Sequence, residues 1–308
     1  MTATVTPPLR KRVKRFIRYV FVRMLLVPLQ LLPLRAASWL GERLGVLAFT
    51  LARGERRKAL ASLQTAMPER TEAERFQLAR ECFRHIGRSA METVAIQQFD
   101  SRRAKFIDWE PESRAAMDSA LARGKGVVFV TGHFGHWELL ARHVALENYP
   151  AAVIGKEASD PRTTKLIERL RTAGRLRVIW RGSQGSAKEM LRALKGNSIL
   201  ALLIDQDTKV QSVFVPFFGK LAKTPRAAAD LTLRTGAAPL LGFCTRVGPL
   251  KYRITMRELP LPTSEGEEAV LALTTAFTQG IEDQIRAHPE QWVWMHQRWK
   301  SRPEGEKP

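Results

Sequence analysis

With 308 residues, 44% of them hydrophobic, the chain can bury a sizeable core and is too apolar to be intrinsically disordered. Lys and Arg outnumber Asp and Glu by 50 to 30, a formal net charge of +20, so its partners are expected to be negative: nucleic acid, anionic lipid or an acidic protein. Two cysteines, Cys82 and Cys244, exclude a disulfide framework, carry no zinc-type spacing and fit a reducing compartment.

The basic excess begins at once. Arg10, Lys11, Arg12, Lys14, Arg15, Arg18 and Arg23 fall in the first 25 residues with no acidic residue among them. They overlap an apolar stretch, Phe16 to Leu34, that Pro28 and Pro33 interrupt. Its uninterrupted part is shorter than the ~20 residues a spanning helix needs. It reads as an interfacial or shallowly inserted helix whose arginines reach the headgroups, with an ordinary buried helix as the alternative. The prolines and the lack of a small-x-small cleavage site argue against a secretory signal. Residues 1–35 are therefore taken as a basic arm and membrane-associated helix. Residues 36–308 are taken as a single α/β domain with a helical preface.

Residues 36–100 carry helical periodicity, and Thr71 with Glu74 forms a capping-box signature. From Gly126 the pattern changes. "VVFVT", "AAVIG", "LRVIW", "SILALLI", "APLLGFC" and "YRITMREL" are candidate strands, with helical patterns at 136–147, 161–173, 184–195 and 225–235. Such alternation predicts an α/β fold whose mainly parallel sheet is covered by helices. "RVGPLK" suits an antiparallel hairpin at one edge, Cys244 lines a buried strand, and Thr224 reads as the N-cap of the next helix.

Chemistry concentrates in "GVVFVTGHFGHWELL", Gly126 to Leu140. Residues just beyond a strand's carboxyl end line the ligand crevice of a doubly wound sheet, which is where His133 falls. Glu138, five residues on, reaches it only if His133 precedes the helix and Glu138 lies in the opening turn. Glu138 would then orient His133, leaving the other ring nitrogen to take a proton from a hydroxyl. The trio His133, His136 and Glu138 does not match the helical HExxH pattern, so no metal is expected, and His136 reads as packing.

"SILALLIDQD" brings Asp205, Gln206 and Asp207 to the same edge. Arg181, at another strand end, is expected to pair with these carboxylates or to contact a phosphate. "VFVPFFGK", with Phe217 and Phe218 in a stretch expected to be a loop, reads as an apolar wall that a chain could lie against, core packing being the rival. Trp292, Trp294 and Trp299, in "QWVWMHQRWK", are expected to pack back onto the sheet; a membrane-interface or nucleic-acid role is the alternative.

The H-x4-E of His133 and Glu138 resembles the dyad of the lysophospholipid acyltransferase superfamily, and within it the lipid A late acyltransferases, which act on Kdo-bearing lipid A precursors. Leu202 to Leu240 and His288 to Lys300 resemble two further family blocks, and "LGERLG" and "RRKALASLQTAMPE" fit the preface, with Ser62 where the family commonly has asparagine. The resemblance covers nearly the whole chain. It implies an acyltransferase at the cytoplasmic face of the inner membrane. The enzyme would move a fatty acyl group from an acyl carrier protein thioester to a hydroxyl of a lipid A precursor or related glycolipid. It implies His133 and Glu138 as catalytic residues, no cofactor, and anionic membrane lipid rather than nucleic acid as the further partner. Arg181, Asp205, Gln206, Phe217 and Phe218 are expected to bind substrate. Backbone N–H groups of the Gly132 to Gly135 turn, or the helix opening near Glu138, are candidate oxyanion donors. A noncatalytic lipid-binding protein and a basic nucleic-acid-binding protein stay open as alternatives.

Overall fold

The computed structural model describes residues 28–158, 160–183, 185–303 and 305. The basic arm and most of the apolar stretch after it, residues 1–27, lie outside them. Among the described residues no helix is long and apolar enough to cross a membrane.

Three helices form the preface: α1 (Leu34–Leu51), α2 (Arg53–Ala66) and α3 (Glu72–Val94). The expected capping box opens α3, with Thr71 accepting from the Glu74 N–H and Glu74 accepting from the Thr71 N–H. The glycines of "LGERLG" have a packing reason. A side chain on Gly41 would collide with the Gly87 carbonyl, one on Gly45 with the Phe83 carbonyl, and one on Gly87 with the Gly41 carbonyl, so α1 and α3 touch backbone to backbone. Alanine at 87 would ordinarily favour a helix. Here Gly87→Ala is expected to lower stability by about 1–3 kcal/mol, the usual cost of overpacking, read as a lower urea midpoint.

Two short helices, α4 (Gln97–Asp100) and α5 (Arg103–Phe106), lead to β1 (Ile107–Trp109) and α6 (Pro111–Ala122). The alternating part follows: β2 (Val127–Thr131), α7 (Trp137–Leu146), β3 (Ala151–Gly155), α8 (Pro161–Thr172), β4 (Arg177–Trp180), α9 (Ser186–Lys195) and β5 (Ile199–Leu203). Next come the hairpin β6 (Ser212–Phe217) and β7 (Lys220–Pro225), α10 (Ala227–Thr235), β8 (Ala238–Gly248), β9 (Lys251–Glu258) and α11 (Gly266–Ala287). The fold is α/β, with a seven-stranded sheet ordered β1-β9-β8-β2-β5-β3-β4. Among the described strands of this sheet only β8 and β9 pair antiparallel; the hairpin expected at an edge lies one place inside it, because β1 pairs parallel outside β9. β2 is buried on both faces, which is why it reads as an unbroken apolar run.

Two local expectations change. "VFVPFFGK" is the β6–β7 hairpin, not a loop. Phe218 and Gly219 form its turn, both at positive φ (51° and 72°), the backbone that matches strand twist in a two-residue hairpin. Thr224 does not cap α10. It lies in β7, fully buried, where its hydroxyl accepts from Arg298 at 2.5 Å.

Candidate active site

Strand register brings the central pair together. β2 and β5 are parallel neighbours with Thr131 opposite Leu203, so the residues two beyond each strand, His133 and Asp205, emerge side by side. His133 Nδ1 donates to Asp205 Oδ1 at 2.8 Å, and the His133 backbone N–H donates to Oδ2 at 2.7 Å. The Trp292 indole N–H also reaches Oδ2, at 2.8 Å. Gly132 makes room: a Cβ there would stand 3.1 Å from that oxygen.

Burial acts to raise the Asp205 carboxyl, but the nearby charge and hydrogen bond of His133 and the Trp292 hydrogen bond outweigh it and hold the group well below the usual carboxylate range. An ionised carboxylate only accepts, so the proton on this side of the imidazole sits on Nδ1. Nε2 is left as a base, on a side chain 25% exposed that lines the cavity.

The expected partner of His133 is therefore replaced. Glu138 does lie in the first turn of α7, but both its oxygens are bound by Arg171, at the end of α8, at 2.5 and 3.1 Å. His136 occupies the N-cap, where Nδ1 accepts the Leu139 N–H at 3.3 Å, and the Trp137 ring stands edge-on to His133 with centroids 5.3 Å apart. Glu138 is thus turned along the cavity wall, while Asp205 meets His133 directly.

The other expected site residues separate. Asp205, its side chain fully buried and its oxygens engaged, supports His133 and is not open to substrate. Gln206 lines the cavity, its amide nitrogen 3.2 Å from both ring nitrogens of His133. Arg181 also lines it, exposed, instead of pairing with Asp205. Phe217 and Phe218 are absent from the lining. They are 1% and 6% exposed, and their rings pack on Trp292, Trp294 and Trp299 as part of the core. The apolar wall comes instead from Leu140, Val144, Val153, Ile179, Ala201 and Met190, around a cavity of about 590 Å³ with His133 in its lining.

The turn's backbone donors are also largely committed. The Gly135 N–H goes to the Gln291 carbonyl and that of His136 to the Cys244 carbonyl, each at 2.9 Å, besides that of His133. The closing tryptophans do pack back onto the sheet domain, Trp292 and Trp294 with no exposure.

A histidine held by a buried carboxylate at an apolar cavity suits base-assisted attack by a hydroxyl on a long-chain acyl group. A sequence model of the bacterial lipid A biosynthesis acyltransferases matches residues 8–301. The chain belongs to that family. It is 30% identical over 285 residues to the lipid A biosynthesis palmitoleoyltransferase of Escherichia coli, covering 89% of this chain and 88% of that one. It is 28% identical over 277 residues, with the same coverage, to the lipid A biosynthesis lauroyltransferase of E. coli. A phosphatidylinositol mannoside acyltransferase of Mycobacterium tuberculosis is 26% identical over 193 residues, 59% of this chain and 57% of that one. The protein is an acyltransferase.

Three residues of this acyltransferase's site escaped the sequence reading: Trp292 on Asp205, Arg171 on Glu138, and His296, whose Nε2 lies 2.5 Å from the Gln206 amide nitrogen. The tryptophan-rich closing block was the one available signal, and it pointed to packing. Local spacing carries no trace of the Arg171 contact.

Proposed function

We propose that the enzyme transfers a fatty acyl group from an acyl carrier protein thioester to a hydroxyl of a lipid A precursor or related membrane glycolipid. The observation that carries this reading is the His133–Asp205 pair lining an apolar cavity. Nε2 of His133 takes the hydroxyl proton as the oxygen attacks the thioester carbonyl. The tetrahedral oxyanion then collapses, the C–S bond breaks, and the thiolate recovers the proton from His133. Asp205 fixes the tautomer and stabilises the imidazolium that forms between the two steps. Glu138 keeps Arg171 against the cavity wall. The apolar lining takes the acyl chain, each buried methylene contributing ~0.8 kcal/mol.

The charge of the chain supports the partners. A formal net charge of +20 favours both an acidic carrier protein and the phosphates of a glycolipid. The basic arm, residues 1–35, would seat the enzyme on the cytoplasmic face of the inner membrane, with residues 36–308 as the catalytic unit. The relatives are named for lipid A biosynthesis and for acylation of phosphatidylinositol mannoside, which supports a phosphorylated glycolipid as acceptor.

The test uses the full chain in detergent micelles with radiolabelled acyl carrier protein thioesters and a panel of lipid acceptors. The parent is expected to form acylated glycolipid, and His133→Ala to lower the rate by about 100-fold or more while remaining folded. A parent that transfers nothing, yet binds acyl chains or nucleic acid as well as His133→Ala does, would defeat the proposal.

A further inference from the structure

The segment after α11 grips the loop after β5 one residue at a time. Trp292 donates to Asp205 at 2.8 Å, the Ser301 backbone N–H donates to Asp207 Oδ2 at 2.9 Å, and Lys300 Nζ donates to the Asp207 carbonyl at 2.9 Å. Between these two buried carboxylates stands Gln206, half-buried and facing the cavity. Its amide nitrogen lies 2.5 Å from His296 Nε2. His296 is itself tied down: its backbone carbonyl accepts from the Ser62 hydroxyl at 3.3 Å, and its ring meets His133 edge to face with centroids 5.1 Å apart.

His296 is neutral at ordinary pH. Burial lowers its pKa to about 4, with the Asp205 charge opposing and that of His133 assisting. A neutral imidazole offers one lone pair. With that lone pair on Nε2, the side of the Gln206 amide that faces it must be the nitrogen, which carries two N–H bonds. One is spent on His296. The other is directed at the reacting centre: the same nitrogen is 3.2 Å from both ring nitrogens of His133, the basic Nε2 among them, and an acceptor hydroxyl that takes Nε2 leaves this N–H for the carbonyl oxygen beside it.

The reaction needs such a donor. When a hydroxyl oxygen hydrogen-bonded to Nε2 attacks, the carbonyl carbon lies one bond from that oxygen and the developing oxyanion one bond further. The backbone N–H groups of His133, Gly135 and His136 are already engaged with protein acceptors.

We propose that Gln206 donates its second N–H to the oxyanion of the tetrahedral intermediate, and that His296 is the positioning residue that keeps nitrogen, not oxygen, facing it. In this step the new O–C bond forms, the carbonyl π pair moves onto oxygen, and the hydroxyl proton goes to His133. Collapse restores the carbonyl and expels the thiolate, which takes the proton back. An amide turned the other way would set its own oxygen against the oxyanion. The proposal rests on the acyl-transfer reading above.

Steady-state kinetics with acyl carrier protein thioester and glycolipid acceptor test it, with melting curves for every variant. Gln206→Ala is expected to lower kcat about 10²- to 10³-fold, as loss of an oxyanion donor does elsewhere, and Gln206→Glu to lower it further, while KM for both substrates moves less than about threefold. His296→Ala should lower kcat about 10-fold or more in the parent and add nothing in the Gln206→Ala background. His296→Gln, whose side-chain oxygen can accept the same N–H, should restore most of the loss. If His296→Ala does not fold, His296→Gln and the two Gln206 variants carry the test.

An unchanged kcat in Gln206→Ala, with an active parent and an inactive His133→Ala, would overturn the oxyanion role alone. Equal losses from His296→Ala in both backgrounds would overturn the positioning role. A parent without transfer activity would instead remove the acyl-transfer reading beneath both.

Discussion

Asp205→Asn is expected to lower kcat about 10²- to 10⁴-fold, the range in which a misplaced general base is felt. The amide keeps the shape of the carboxylate but has one acceptor where the carboxylate has two. If its oxygen stays on the His133 N–H and the Trp292 indole, its NH₂ faces Nδ1, which must then become an acceptor. The ring proton moves to Nε2, and the base is lost without any loss of volume. The nitrogen chemical shifts of the His133 ring, measured beside kcat, would report that tautomer change directly. Some stability should be lost too, on the order of 1–3 kcal/mol, because a buried hydrogen-bond set is disturbed.

Glu138→Ala is also expected to impair the enzyme, but through a different partner. Because both Glu138 oxygens are bound by Arg171, Glu138→Ala and Arg171→Ala should be non-additive, the double variant losing no more than the worse single one. The H-x4-E dyad read from sequence makes the opposite statement. If Asp205→Asn kept the parental kcat while Glu138→Ala abolished it with no coupling to Arg171, Glu138 would be the partner of His133 after all.

The contrast between these two carboxylates shows what the sequence can carry. His133 was legible because a run of apolar residues ending in glycine marks a strand end, and strand ends in α/β sheets face the ligand crevice. Asp205 was legible as a residue at the same edge but not as the partner of His133, since it stands 72 residues away and reaches His133 only because β5 inserts between β2 and β3 in the sheet. Strand order is a non-local property that periodicity does not encode. Glu138 was near in sequence and looked sufficient. Phe217 and Phe218 failed for a related reason: an apolar run suits a chain-binding wall or a core equally well, and burial against Trp292, Trp294 and Trp299 makes it core. The six strands read from β-branched and apolar runs all formed, whereas β1, at three residues, is too short to announce itself.

Acidification from pH 6.5 towards pH 4 is expected to destabilise the protein by several kcal/mol, and the cause is a set of neutral histidines. Burial pushes His85 down to about 3 and His136, His143 and His296 to about 4, from an ordinary 6.5. Two of them are fixed in neutral form by geometry as well. His136 Nδ1 accepts the Leu139 N–H, and His143 Nε2 accepts the Trp109 indole N–H at 2.6 Å. A proton added to either acceptor would face another proton. Since each folded pKa lies below its unfolded value, the unfolded chain binds more protons between them. The stabilisation is complete above about pH 6.5 and is lost progressively as pH falls towards the folded values, by up to ~1.4 kcal/mol per pH unit for each histidine. At pH 5 that is about 2 kcal/mol each, and the sum of four approaches the whole stability of an ordinary domain. Urea midpoints followed by tryptophan fluorescence from pH 7.5 to 4.5 should therefore fall with a slope of two to four protons by the relation above. His136→Asn, whose side-chain oxygen can still accept the Leu139 N–H, should flatten that slope by about one proton. A midpoint that stayed level down to pH 5 would mean that these histidines are already protonated in the folded enzyme, and the turn that carries His133 would then be held by charges that the neutral arrangement does not contain.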